Sequence, residues 1–360
     1  MITISIFSVL NTFKKRRNNL ILIFSKNSQL ILRNRKIFRT KRVFFSGNIK
    51  DNLPMHLSTN QTKINFQKYN DYINFQKKNN TKNINVYNEL LVSEQMTQNC
   101  DTIIYYWPKS KSEAKFQLIN IMSCFPIGTK IFIVGDNSSG VKSAPLILKK
   151  WLDLKKIDNA KHCILIFGFL KKKIKFTIKD FFKTHIWKDF SIKSLPGVFG
   201  YKKIDEGSKL LASTFSENIN GKILDIGSGT GFLSVCLLYS SPKANLTLTD
   251  NSVTALECSK ETLYTNKLKG DVIISDLYSN IFNKFDLIIS NPPFHEDLSV
   301  NFDITKKIIS YSIRYLRKKG ELRFVTNICF NYDFLLNKIF KTYSVMKKNN
   351  KFKVYQAFLK

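Results

Sequence analysis

The chain has 360 residues, 43% of them hydrophobic, and its 58 Lys and Arg against 26 Asp and Glu give a formal charge of +32. That length suits two or three globular domains with ordinary cores, and no run approaches the ~18 uninterrupted apolar residues of a membrane span. The charge points towards an acidic polymer such as nucleic acid. Lys, Asn, Ile and Phe are all inflated, as an AT-rich genome would write them, and roughly half of the excess charge is assigned to that drift, so charge alone is a weak signal. Six cysteines (Cys100, Cys124, Cys163, Cys236, Cys258 and Cys329) are scattered without a Cys-x-x-Cys, and the four histidines lie far apart. Reduced thiols in a cytoplasmic protein, with no metal site, are the expectation.

In chain order, the first 50 residues contain no Asp or Glu. Residues 1–27 are expected to be a basic, disordered extension, with an organelle-targeting peptide as the alternative. Residues 28–190 form the next block. Within it "CDTIIYYWPKSKSEAKFQLINIMSCFPIGTKIFIVGDN" echoes a later pattern, laying Asp101, Ile103 and Ile104 over Asp286, Ile288 and Ile289. A repeat of about 150 to 190 residues would be a duplicated domain. The copies differ where chemistry would sit: Tyr105-Tyr-Trp-Pro108 stands in place of Ser290-Asn-Pro-Pro293. Pro and Gly in Leu195-Pro-Gly-Val-Phe-Gly200 mark a junction, read as a linker over 191–200.

The last block, 201–360, is the more legible. Ile204 to Phe215 predicts an amphipathic helix and Lys222 to Ile226 a short buried strand. Gly227-Ser-Gly-Thr-Gly231 follows, then a helix from Phe232 to about Tyr239. Asn245 to Thr249 is a strand ending at Asp250, and Ser252 caps a helix reaching about Lys267. Asp271 to Ser275 and Phe285 to Ser290 are further strands. A helix from Ile304 to Arg317 is expected to stop at Gly320, ahead of a strand over Glu321 to Thr326. Tyr343 to Lys347 and Phe352 to Phe358 read as a hairpin around Asn349-Asn350. Strands alternating with helices imply a doubly wound, mostly parallel α/β sheet with an antiparallel hairpin at one edge.

Asp225-Ile-Gly-Ser-Gly-Thr-Gly231 closes a strand and opens a helix. Gly227, Gly229 and Gly231 let the backbone turn and approach a ligand. The spacing is not the Gly-x-Gly-x-x-Gly of a dinucleotide site, and the acid at Asp225 would repel a pyrophosphate. It suits an ammonium, as in S-adenosyl-L-methionine. Asp250 comes 25 residues later at the next strand end, where a carboxylate can accept both ribose hydroxyls. Asp276 ends the strand after that and can accept from an adenine amino group. Each acid alone would be an ordinary turn residue, but loop and acids in this order point to a nucleoside cofactor.

This block resembles the class I S-adenosylmethionine-dependent methyltransferases. Asn291-Pro-Pro-Phe294 is similar to the motif of enzymes that methylate planar amino nitrogens. An amino group conjugated to a purine is a poor nucleophile. Two acceptors on its N–H bonds, Asn291 Oδ1 and the Pro292 carbonyl, can hold it in line with the methyl. The prolines stiffen that backbone, and Phe294 can stack on the base. Positioning, rather than a strong base, then supplies most of the rate. Pro293 and His295 are expected to touch the substrate.

The stretches "DLIIS" before Asn-Pro-Pro-Phe-His, "LPGVF", "KFKVYQA" and "DTIIYYWPKSKSEAKFQL" together resemble the ribosomal RNA small subunit methyltransferase C family of bacteria. The resemblance spans about Ser28 to Lys360. It implies two tandem Rossmann-like methyltransferase domains, only the second keeping the cofactor site, and methylation of guanine N2 in 16S rRNA of the small ribosomal subunit. A monomer is the expected state. The resemblance also implies that the first domain is a degenerate copy that binds RNA, with Lys109, Lys111, Lys115 and Lys171 to Lys173 as candidate contacts. Glu296-Asp297 departs from the Asp-Gly usual after the family's histidine. Guanine-N2 methylation of large-subunit rRNA, methylation of a protein glutamine, and a non-catalytic ribosome-assembly factor are the competing readings.

Overall fold

The computed structural model describes residues 24–79, 83–293, 295–296, 299–300, 302–340 and 342–360. It divides into two compact units. One runs through Gln67 and over Asp71–Phe176, and the other comprises Lys68–Asn70 and Thr177–Lys360. The expected extension lies outside the described residues up to position 23. Its last residues already enter a helix, α1 (Lys26–Arg33), whose N-cap Ser25 accepts from Ser28 N.

The first half of the chain continues with β1 (Arg42–Gly47), β2 (Gln61–Asn65), α2 (Tyr69–Lys78), β3 (Ile84–Tyr87), α3 (Glu94–Thr97) and β4 (Thr102–Tyr106). It is completed by α4 (Lys111–Ser123), β5 (Lys130–Asp136), α5 (Ala144–Leu148), β6 (Lys155–Ala160) and β7 (Cys163–Phe169). The strands form one sheet in the order β3-β2-β1-β4-β5-β7-β6. The first five are parallel, and β7 joins β5 and β6 antiparallel. Ser110 and Glu113 open α4 as the serine hydroxyl accepts from Glu113 N.

The second unit starts with a two-stranded hairpin, β8 (Lys183–Trp187) and β9 (Phe190–Ser194). Then come α6 (Glu206–Ala212), β10 (Lys222–Ile226), α7 (Phe232–Ser240), β11 (Asn245–Asp250), α8 (Val253–Thr265), β12 (Asp271–Ile274) and β13 (Phe285–Ser290). The short pair β14 (His295–Glu296) and β15 (Ser299–Val300) precedes α9 (Phe302–Tyr315), β16 (Leu316–Asn327), α10 (Asp333–Ile339), β17 (Tyr343–Lys348) and β18 (Phe352–Phe358). Their main sheet runs β12-β11-β10-β13-β16-β18-β17. Position for position this is the order of the first sheet, so the faint internal echo is a repeated doubly wound fold, with an antiparallel hairpin closing each copy.

Residues of β10 and β13 alternate between two apolar clusters. Ile223, Leu287 and Ile289 join one with α7, while Leu224, Ile226 and Ile288 join the other with Ile308 and Ile309 of α9. Central parallel strands are covered on both faces, which is why "KILDI" and "FDLIIS" read as near-continuous apolar runs. The alternation also puts Asp225 on the α7 face, beside Ile223.

Two elements differ from the sequence expectation. The helix expected over Ile204 to Phe215 is shorter, Glu206–Ala212: Asp205 caps its start and Ser213 its end. Gly320 does not end the helix before it. Helix α9 stops at Tyr315, and Leu316 already pairs with Phe285 ahead of a bulge. A Cβ at Gly320 would lie 2.8 Å from Arg317 O and 3.1 Å from Phe285 O, so the glycine serves the bulge. Among the described residues no helix is long and apolar enough to cross a membrane.

Candidate active site

Parallel strands β10, β11 and β13 end side by side, and their C-terminal ends carry the acid, the glycine loop and the asparagine. Register fixes this: Ile226 lies opposite Thr249 on one side and Ser290 on the other. Ser290 Oγ donates to Ile226 O at 2.8 Å, tying the end of β13 to that of β10. Ligands of open α/β sheets bind at such strand ends, where the order reverses.

The loop after β10 is held from behind. Gly227 N and Ser228 N donate to Thr249 O at 2.8 and 2.9 Å, and Gly231 N donates to Ser228 O at 2.8 Å. Gly227 has φ +75°, and a Cβ built on it meets nothing within 4 Å, so its front is open. Gly231, also at φ +75°, instead lies where a Cβ would be 3.2 Å from Ser259 Cα, which brings the loop close to α8.

Asp225 is completely buried. Its Oδ2 accepts from Ser234 Oγ at 2.7 Å, and its Oδ1 has no hydrogen-bond partner among the described residues. Burial pushes its carboxyl up to about 7, the Ser234 hydroxyl opposes the rise, and the charge of Asp250 adds to it. A buried carboxylate oxygen with no partner is costly unless a donor reaches it. An ammonium would supply that donor and lower the pKa again, so the site fits the amino group of S-adenosylmethionine. Asp250 is anchored by backbone, Oδ2 accepting from Gly229 N at 3.0 Å and Oδ1 from Ser252 N at 2.9 Å. Each oxygen keeps a lone pair for a hydroxyl. Burial raises its pKa too. Asp276 follows β12 and is exposed, and its backbone N donates to Ser279 Oγ at 3.0 Å.

Asn291 follows β13 directly. Its Nδ2 donates to Asp205 Oδ2 at 3.0 Å and to Ser208 Oγ at 2.7 Å, and its Oδ1 is buried with no partner among the described residues. Pro292 is buried and Pro293 exposed. Phe294 lies outside the described residues. The backbone of His295 pairs with Val300, and its side chain is not among those described.

Lys109 and Lys111 belong to the first unit, where both are exposed near the end of β4 and the start of α4. Sequence reasoning passed over Asp205, Ser208 and Ser234. Only Asp205 carried a local signal, as a capping-type residue one position inside the helix expected from Ile204. It also passed over Lys307, Tyr311 and Arg314, which stand on one face of α9 at spacings of four and three. They line a cleft of about 630 Å³ together with Asp276, and the Arg314 guanidinium lies 5.5 Å over the Tyr311 ring.

Comparison with known proteins agrees with this layout. Residues 189–356 match the Methyltransferase small domain and residues 28–185 the Methyltransferase small domain N-terminal. A ribosomal RNA small subunit methyltransferase C of Buchnera aphidicola subsp. Acyrthosiphon pisum is 66% identical over 94% of this chain and 100% of its own length. The protein of that name from Erwinia tasmaniensis is 40% identical, over 93% of this chain and 97% of its own. Among solved structures, a T. thermophilus 16S rRNA N2 methyltransferase in complex with AdoMet and guanosine superposes with a TM-score of 0.77, covering 93% of this chain and 92% of that one. At 17% identity, that likeness shows the shared tandem fold.

Proposed function

The chain belongs to the ribosomal RNA small subunit methyltransferase C family, and from that premise we infer that it transfers a methyl group from S-adenosylmethionine to the exocyclic N2 of a guanine in 16S rRNA. The observation that carries the reading is a pair of buried oxygens, Asp225 Oδ1 and Asn291 Oδ1, each without a partner among the described residues, at the ends of adjacent strands. One awaits a cationic donor and the other a neutral N–H.

S-adenosylmethionine supplies an electrophilic methyl on its sulfonium and departs as a thioether. Asp225 accepts from its ammonium, Asp250 from its ribose hydroxyls and Asp276 from its adenine amino group, while Gly227, Gly229 and Gly231 leave room along the loop. Asn291 Oδ1 and the Pro292 carbonyl accept the two N–H bonds of the guanine amine. That grip points the nitrogen lone pair at the methyl, and holding two reactants in line is worth several orders of magnitude in rate. The amine proton leaves after attack, so a strong base is not required. Phe294 stacks on the base, and Pro293 and His295 shape its surroundings. The guanine must leave its stack to reach Asn291.

In this reading the first unit is a degenerate copy that holds RNA, Lys109 and Lys111 contacting phosphates, which would make binding steeply salt-dependent. Lys307, Tyr311 and Arg314 give the second unit a basic, aromatic edge of its own. The enzyme works in the cytoplasm as a monomer, and no metal takes part. Large-subunit rRNA as substrate is disfavoured by relatives that carry the small-subunit name over nearly the whole chain. A non-catalytic assembly factor is disfavoured because no acid, loop glycine or asparagine of the site has been lost.

The test is to incubate the purified protein with small-subunit and large-subunit rRNA and labelled S-adenosylmethionine, then identify the product by nucleoside mass spectrometry. N2-methylguanosine from small-subunit rRNA is expected. Label in another nucleoside, in large-subunit rRNA, or in no RNA contradicts the reading.

A further inference from the structure

We propose that Asp205 and Ser208 are positioning residues that decide which end of the Asn291 amide meets the methyl-accepting amine. This rests on the reading of Asn291 as that amine's acceptor and extends it to residues more than 80 positions earlier in the chain.

The two ends of an asparagine amide are nearly the same size and opposite in hydrogen-bonding character. Nothing in the side chain itself favours one orientation, so its neighbours must. Asp205 Oδ2 accepts from Asn291 Nδ2 at 3.0 Å, and Ser208 Oγ lies 2.7 Å from the same nitrogen. A hydroxyl could serve either orientation, but a carboxylate only accepts. Turning the amide over would bring Oδ1 against Asp205 Oδ2, acceptor facing acceptor. Both hydrogens of Nδ2 are therefore committed to these two groups, and Oδ1 is left as the end that can receive an N–H. In the reverse orientation Asn291 would offer N–H to N–H, and the amine would not be gripped.

The carboxylate is fixed before any substrate arrives. Asp205 is the N-cap of α6, and the same Oδ2 accepts from Ser208 N at 2.8 Å. One helix start thus supplies both partners of the amide, Asp205 through its cap and Ser208 three residues on. Gly207 protects the arrangement: a Cβ there would lie 3.0 Å from Asp205 Oδ2 and 3.2 Å from the Phe352 ring. The design is a preorganised acceptor whose polarity is set by a distant helix cap.

The experiment compares steady-state kinetics on small-subunit rRNA for Asp205→Asn, Asp205→Ser, Ser208→Ala and the double variant Asp205→Ser/Ser208→Ala, with Asn291→Ala as control. Affinity for S-adenosylhomocysteine and melting temperature are measured alongside. Asp205→Asn keeps a capping oxygen at the same reach, so kcat should stay within about threefold of wild type. Asp205→Ser keeps a cap but draws the acceptor back from Asn291. It and Ser208→Ala should each lower kcat about tenfold, and the double variant about 100-fold, with KM for RNA and cofactor affinity within about twofold of wild type. If the double variant keeps its kcat while Asn291→Ala is inactive, the positioning role is overturned and the active-site reading stands. If KM rises while cofactor affinity and melting temperature fall with kcat, the two residues are structural, and the proposal is equally overturned. If Asn291→Ala itself stays active, the reading beneath the proposal fails, and the proposal with it.

Discussion

The two units share a strand order but end their central strands in opposite ways. Register sets Phe45 opposite Ile104 in the first sheet as it sets Asp225 opposite Ile289 in the second. Tyr106, still paired with Gly47 at the end of its ladder, stands where the second copy has Asn291, one step past the Ile226–Ser290 pair. Phe45 is wholly buried in the first core. Tyr106 is buried too, its hydroxyl 2.9 Å from Ser28 Oγ, which in turn donates to Asp51 Oδ1 at 2.9 Å. A Cβ on Gly47 would collide with the Tyr106 carbonyl, whereas one on Gly227 would stand in open space. The first copy has closed its strand ends with apolar volume and the Tyr106–Ser28–Asp51 hydrogen-bond chain, leaving one buried donor, Trp107 Nε1, without a partner among the described residues. The second keeps a buried carboxylate oxygen and a buried amide oxygen without partners among the described residues, a local cost in stability that a ligand would repay. Topology is common to both, so chemistry has to be judged from those few side chains.

The largest expected break in this contrast is Asn291→Ala. Methyl transfer should fall by at least about 100-fold to 1,000-fold, since a positioned polar contact to the reacting group is removed, while S-adenosylhomocysteine affinity stays within about twofold. Calorimetry and single-turnover transfer separate the two, and a fall in both would move Asn291 into cofactor binding.

A middle-sized effect concerns Asp225. With its pKa raised to about 7 in the free protein, the carboxyl keeps its proton below that pH, and a ligand bearing an ammonium must displace it. Affinity for S-adenosylhomocysteine should therefore be flat above about pH 7 and weaken by about tenfold per unit below it, with uptake of the ligand releasing a proton. Asp225→Asn should bind weakly at every pH and lose that slope. The same shift acts on the free fold, which loses stability from this group as pH climbs from the usual carboxylate range to about 7, because the unfolded chain ionises first. Titrations in buffers of different ionisation enthalpy count that proton, and its absence would contradict the assignment.

The smallest effect belongs to the first unit. Tyr106→Phe deletes the hydroxyl that meets Ser28, and stability should drop by about 0.5–1.5 kcal/mol in chemical denaturation. Methyl-transfer kinetics should not change. A loss of kcat there would mean the two strand ends are not as different as their side chains imply.

Much of this was legible because it is local. Asp225, the three loop glycines and Asp250 follow from strand, turn and spacing within about 25 residues, and strand–helix alternation gave the doubly wound sheet of the second half; the tandem arrangement came from the family resemblance and the faint internal echo. The contacts between distant segments were not legible. Asn291 meets Asp205 and Ser208 across more than 80 positions, and Tyr106 meets Ser28 across 78. Periodicity carries no trace of such pairs. Gly320 misled for a related reason. Glycine after a helix ordinarily marks its end, but here pairing of Leu316 with Phe285 had already begun the strand, and the glycine's small size was needed for the bulge.

The most direct test is a crystal structure of the protein soaked with S-adenosylhomocysteine and guanosine. The expected result is one nucleoside thioether per chain, its ammonium on Asp225 Oδ1 and its ribose on Asp250, with the guanine amino group donating to Asn291 Oδ1 and nothing bound near Tyr106. A ligand seated at the first unit's strand ends, or an Asn291 amide turned so that its nitrogen faces the base, would contradict it.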